Sequence, residues 1–222
     1  MSSLPANRRL FGLVIAEILL YVVLDAIAQS LPPHYSPIRD VESDLAVGPY
    51  GYVMTLNFLN RGVLSLVFLY ALIATMRASG AVDHGKRPRG TLAFAVWGVG
   101  ALLLAVFPTD VPATPVSGHG AIHLLVAILA FIGGAFGALF LSMEFKRFSS
   151  FKTAESISVV FAALSVLLLL VDLAMPFIAP HLNSRIGGLT ERLFLGSVLL
   201  WIGVVSALLY KHGSSKPPSF SY

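Results

Sequence analysis

The chain has 222 residues, 56% of them hydrophobic and only 12% charged, with a formal net charge of +4 and a mean hydropathy of +0.82. Soluble domains carry about 25% charged residues. This composition therefore excludes a soluble enzyme, a disordered chain and a nucleic-acid-binding domain, despite a pI of about 9.5. The absence of cysteine excludes disulfides, thiol nucleophiles, thiolate zinc sites and iron–sulfur clusters.

A bilayer core of about 30 Å takes roughly 20 apolar residues per helix. Six runs fit, at about residues 10–31, 50–76, 90–107, 119–143, 154–176 and 188–210. They are too long and too continuous for barrel strands, which alternate over about 10 residues. The prolines Pro32, Pro33, Pro108, Pro112, Pro115, Pro176 and Pro180 fall at or beyond span ends, where helices stop. The sequence thus predicts a single all-α domain over residues 1–222, a polytopic bundle of six transmembrane helices with a short polar tail at 211–222.

Lysine and arginine placement orients the bundle. Arg8 and Arg9 precede the first span, Arg77, Lys86, Arg87 and Arg89 follow the second, Lys146, Arg147 and Lys152 follow the fourth, and Lys211 and Lys216 lie in the tail. All basic residues except Arg39, Arg61, Arg185 and Arg192 fall on one side, so both termini are expected to be cytoplasmic. The net positive charge then reflects insertion and contact with anionic lipid headgroups, with no nucleic acid implied. Arg8-Arg9, an apolar run and Ala26-Ile27-Ala28 can be read as a signal peptide. Glu17 and Asp25 inside the run, and its length, favour an uncleaved first helix.

Ionisable residues within spans are costly and mark functional sites by default. Asp25, Asn57, Asn60, Arg61, His119, His123, Asp172, Glu191 and Arg192 all sit toward the outer ends of their spans, and Glu17 alone sits toward the inner half. Asp40, Glu42, Asp44 and Asp110 add charge to the outer loops. Polar residues are tolerated near any helix end, but here the inner charges lie in loops and the outer ones inside helices. That asymmetry predicts a polar pocket opening outward.

His119 and His123 are i and i+4, on one helix face with Cβ atoms about 5–6 Å apart. Such a pair can hold a divalent metal such as zinc if a third ligand joins, with Asp110 the first candidate and Asp44 or Asp25 the others. Zinc with a bound water would hydrolyse an ester or phosphodiester. The bland reading has both histidines bonding loop carbonyls. Asn57 and Arg61 are again i and i+4. Arg61 must pair, with Asp44, Asp110 or Glu191, or clamp the phosphate or carboxylate of a headgroup.

Gly187-Gly188 reads as a loop entering the sixth span, with Thr190 as N-cap and Glu191 in a first turn that favours acid. Arg192 is disfavoured there by the same dipole, so a partner is expected among Asp110, Glu191 and Asp172. Residues 36–51 read as a short interfacial helix, capped by Ser36 or Asp40 and broken at Gly48-Pro49. Gly133, Gly134 and Gly137 form a small-residue face for packing inside the bundle or for a homo-oligomer. Trp97 and Trp201 read as packing or interface anchors.

Ser43-Asp44-Leu45 with Gly48-Pro49-Tyr50 resembles the S-D-L-G loop of the uncharacterised bacterial and archaeal membrane family known as "domain of unknown function 998". Phe107-Pro108-Thr109-Asp110, His119-Gly120-Ala121-Ile122-His123 and Gly188-Leu189-Thr190-Glu191-Arg192 also fit that family's pattern, so the resemblance runs from the first span to the last. More distantly the chain is similar to the Frag1/DRAM/Sfk1 membrane proteins, some of which act in lipid or glycolipid remodelling. The resemblance implies a multi-pass protein of a prokaryotic plasma membrane with lipids as its ligand class, and supplies no reaction.

Taken together, the sequence predicts an outward pocket that binds or processes a lipid or small amphiphile. Asn57, Arg61 and Arg192 are the ligand-binding candidates. If the protein is a metal-dependent membrane hydrolase, His119, His123 and Asp110 hold the metal and Asp44, Asp110 and Glu191 do the chemistry. A proton- or cation-coupled transporter using Glu17, Asp25 and Asp172, and a non-catalytic structural subunit, are the alternatives. A haem held by His119 or His123 lacks a second histidine at like depth.

Overall fold

Apolar runs without internal breakers become helices, because in lipid each backbone N–H must find its carbonyl within the same segment. A computed structural model describes residues 4–79, 82, 85–147 and 152–212. Among these the chain is helical without strands. The helices are α1 (Leu4–Ser30), α2 (Gly51–Ala78), α3 (Thr91–Leu104), α4 (Gly118–Glu144), α5 (Lys152–Ile178) and α6 (Pro180–His212), with short 3-10 turns at Glu42–Ala46 and Phe145–Arg147. Helices adjacent in sequence pack side by side, and α6 closes the ring against α1. Six alternating helices put the start of α1 and the end of α6, with Arg77, Arg89 and Lys146, at one end of the bundle. The first loop and the α3–α4 loop lie at the other.

Five helices are long and apolar enough to cross a membrane, and α3 is shorter, with 14 residues. At 1.5 Å per residue it spans about 21 Å. The expected third span, 90–107, therefore ends one turn early. The N–H groups of Val106 and Phe107 both close on the Leu103 carbonyl, and Pro108 then stops the chain from continuing.

The sixth helix departs the other way, starting at Pro180 rather than near 188. A single residue, Ala179, separates it from α5, and proline is pre-organised for a first helical turn. Gly187 and Gly188 stay helical because the first loop docks there. The N–H groups of Gly188 and Leu189 donate to the carbonyls of Arg39 (3.1 Å) and Ile38 (2.9 Å). A Cβ at Gly188 would meet the Asp40 backbone, with its nitrogen 2.9 Å away. Thr190 is accordingly a mid-helix residue, not a cap.

The core between the helices is aromatic. Phe68 and Phe94 pack on Trp201 at 5.3 Å, and Phe131 and Phe194 lie 6.3 and 6.2 Å from Trp97. Both tryptophans are fully buried, which makes them packing residues. Each satisfies its indole N–H on a serine of another helix, Trp97 on Ser65 (2.9 Å) and Trp201 on Ser142 (2.8 Å). The glycine face of α4 is used within the chain. A Cβ at Gly133 would lie 2.5 Å from the Ala93 carbonyl oxygen, and one at Gly134 2.7 Å from the Trp97 ring.

Candidate functional site

The site begins with the first loop. The N–H groups of Arg39 and Asp40 close a turn on the Ser36 carbonyl, and the Ser36 N–H donates to the Asp40 carboxylate at 2.8 Å. The exposed Arg39 guanidinium bonds Asp40 at 2.7 Å and holds its carboxyl below the usual range. The expected interfacial helix shrinks to the 3-10 turn Glu42–Ala46. Its register turns Glu42 inward and leaves Asp44 half-buried beside the chain's own backbone.

Arg192 fixes this loop from α6. Its Nη1 donates to the carbonyls of Pro37 (2.9 Å), Asp40 (2.9 Å) and Gly188 (3.1 Å), and its Nη2 donates to the Tyr35 hydroxyl. The expected acidic partner is replaced by carbonyls, which suit a fork of five donors.

Behind the loop lies a buried charge cluster. Glu42, 2% exposed, accepts from the Tyr21 hydroxyl and lies 3.6 Å from Nη1 of Arg61, itself 1% exposed. The Arg61 guanidinium carbon lies 5.3 and 4.9 Å from the ring centres of Phe58 and Trp97, a cation–π contact with each. Its Nε and Nη1 make no hydrogen bond. Burial pushes the Glu42 carboxyl up to about 7, with Arg61 only partly offsetting it. Asp44 is raised to about 6, again chiefly by burial.

A cavity of about 600 Å³ opens beside this pair. Glu42, Arg61, His123, Asp172 and Glu191 form its ionisable floor, the Asp40-paired Arg39 also lines it, and Leu124, Ile128, Phe131, Leu173 and Phe177 of α4 and α5 form an apolar wall. Leu124 and Phe177 are also exposed on the outside of the bundle, so the wall runs out to the surface between those helices. The Thr190 hydroxyl donates to Asp172 Oδ1 at 2.9 Å. A second cavity, about 360 Å³ between α1 and α6, is lined by Tyr21, Asp25 and Arg192, with Glu42 shared by both.

The sequence-predicted residues divide accordingly. Arg61, His123 and Glu191 meet at the first cavity, and Arg192 borders the second. Asn57 is buried one turn before Arg61 without lining either, and Asn60 ties α2 to the Glu17 carbonyl at 3.0 Å. Asp44 and Asp110 line neither cavity. The residues expected to hold a metal have other partners in the fold. His123 Nδ1 bonds the Phe107 carbonyl at 2.7 Å, His119 is an exposed ring near Phe107, and Asp110 accepts from the Ser117 N–H at 2.9 Å, which lowers its pKa. These groups serve the start of α4, and among the described residues no three His, Asp or Glu side chains converge on a metal position.

Two residues escaped the sequence reading. Tyr21 lies one turn before Asp25 on the same helix face, a spacing that was visible. Glu42 was one of several loop acids, and only the register of the 3-10 turn selects it.

Fold and site define a multi-pass helical membrane protein with an ion pair buried beneath a half-polar, half-apolar pocket. Residues 14–208 match the family model described as "Protein of unknown function (DUF998)", and the chain belongs to that family. The match runs from within α1 to within α6. No curated protein and no solved structure is significantly similar to the chain.

Proposed function

We propose that the protein binds a lipid or similar amphiphile, its chain against the α4–α5 wall and its headgroup on the charged floor, at the outer face of the plasma membrane. The observation that carries this reading is Arg61. A guanidinium with two enclosed nitrogens lacking hydrogen bonds lines a cavity whose other side is hydrocarbon. Buried donors without acceptors are costly, and a headgroup oxygen supplies what Arg61 lacks. The size of the cavity falls within the usual range for ligand sites, roughly 300–1,000 Å³. The outward placement rests on the segregation of basic residues to the opposite end.

The test is lipid retention, read by native mass spectrometry of protein purified in mild detergent. Wild type is expected to carry a bound lipid. Arg61→Gln should lose it from the headgroup side, and Ile128→Trp should lose it by filling the apolar side without touching the ion pair. Equal retention in wild type and Ile128→Trp would overturn the reading. So would equally tight binding of a soluble, chain-free headgroup such as glycerophosphoethanolamine.

A further inference from the structure

The amphiphile reading leaves the headgroup open, and the carboxylates of the floor narrow it. Buried charges need partners. Arg61 has Glu42. Asp172 on α5 and Glu191 on α6 have no ion-pair partner within 4.0 Å among the described residues. Asp172 accepts only the Thr190 hydroxyl, and Glu191, 8% exposed, has no hydrogen bond at all among those residues. Both line the cavity. The floor therefore joins a guanidinium short of acceptors on α2 to an acidic pair on α5 and α6, a half-buried Asp172 and a buried Glu191 whose nearest positive influences are Arg192 and Arg61.

We infer that the pocket selects a zwitterionic headgroup, an anionic phosphate toward Arg61 joined by a short linker to a primary ammonium toward Asp172 and Glu191. This rests on the amphiphile reading above. A phosphate without an amine would face two carboxylates with nothing to satisfy them. A quaternary ammonium carries the charge but no N–H, whereas carboxylates accept hydrogen bonds from the three donors of a primary ammonium.

The full-length protein in detergent would be titrated calorimetrically with three short-chain lipids sharing one phosphate and one chain length. These are dihexanoyl phosphatidylethanolamine, phosphatidylcholine and phosphatidylglycerol. The ethanolamine lipid should bind about tenfold tighter than either of the others, a margin in keeping with charge-assisted hydrogen bonds. Glu191→Gln and Asp172→Asn, near-isosteric changes, should each remove that margin, weakening ethanolamine-lipid binding by about tenfold relative to glycerol-lipid binding. Glycerol-lipid or choline-lipid binding as tight as ethanolamine-lipid binding in wild type would overturn the inference and leave the amphiphile reading standing. So would a margin that survives both substitutions. Binding of none of the three would overturn both.

Discussion

Arg61 is the residue on which site and stability meet. Removing one partner of a buried ion pair strands the other charge, at a cost of about 3–5 kcal/mol. Arg61→Met should lower the unfolding free energy by that order, measured by chemical unfolding in detergent. Adding Glu42→Gln should recover part of the loss, because the stranded carboxylate is gone. A double variant as unstable as the sum of the two singles would show that the 3.6 Å pair carries no coupling.

Glu42 also gives the molecule a pH response with a definite sign. Tyr21 and Asp25 face it from α1, Arg61 from α2 and Arg192 and Glu191 from α6. Burial lifts its carboxyl from 4.5 to about 7, so the folded state binds the proton more tightly than the unfolded chain. Stability is then greatest on the acid side and falls as pH rises from about 4.5 to about 7, by at most about 3 kcal/mol. Asp44 adds a slope of the same sign, ending near 6. Thermal unfolding across pH 4–8 should show a shallower fall for Glu42→Gln than for wild type. Parallel curves would dismiss Glu42 as the source. The sequence made it plain that Arg61 needs a partner, because a lone guanidinium in lipid is too costly. It could not name Glu42, since Glu42 and Asp44 are two residues apart and a turn two residues out of register would present Asp44 instead.

Among the elements, the docking of the first loop on α6 decides the geometry of the site. The two main-chain bonds to Gly188 and Leu189 and the Arg192 fork set where Glu42 enters the bundle. Gly188→Ala should force the Asp40 backbone away at about 1–3 kcal/mol, an overpacking cost, and weaken lipid retention as Glu42 shifts. Gly196, a little over two turns on in the same helix, has open space around its Cβ position. Gly196→Ala should be neutral or slightly stabilising, by the helix propensity of alanine, about 1 kcal/mol over glycine. A loss at Gly196 as large as that at Gly188 would show that the cost is not specific to the docked loop. This element-scale feature was illegible beforehand. A Gly-Gly pair reads as a loop from local propensity alone, and only the carbonyls of residues 38 and 39, 150 positions away in the chain, turn it into a docking face. The third span was overread for the opposite reason. Ala105, Val106 and Phe107 are apolar enough for lipid, but Pro108 had already set the end of the helix.

At the scale of the whole molecule, the all-α, multi-helix class was legible, because 20-residue apolar runs leave few alternatives. The structure gathers several of the predicted polar residues, Arg61, His123, Asp172 and Glu191, around one cavity at the end of the bundle away from the start of α1. Which face of the membrane that end meets rests on the basic residues alone, and the chain's lack of cysteine makes it simple to test. A single cysteine at Thr114, exposed in the α3–α4 loop, should react with a membrane-impermeant maleimide on intact cells. One at Lys146, exposed at the opposite end, should react only after permeabilisation. The reverse pattern would place the cavity on the cytoplasmic side, and the Arg61 pocket would then sample inner-leaflet lipid. With the expected pattern, the opening between α4 and α5 lies within the outer leaflet. A lipid can then enter sideways with its headgroup already at the depth of Arg61, and no charge need cross the hydrocarbon core. On the proposed amphiphile reading, that economy of movement accounts for charges held inside the helices at one end of the bundle and in the loops at the other.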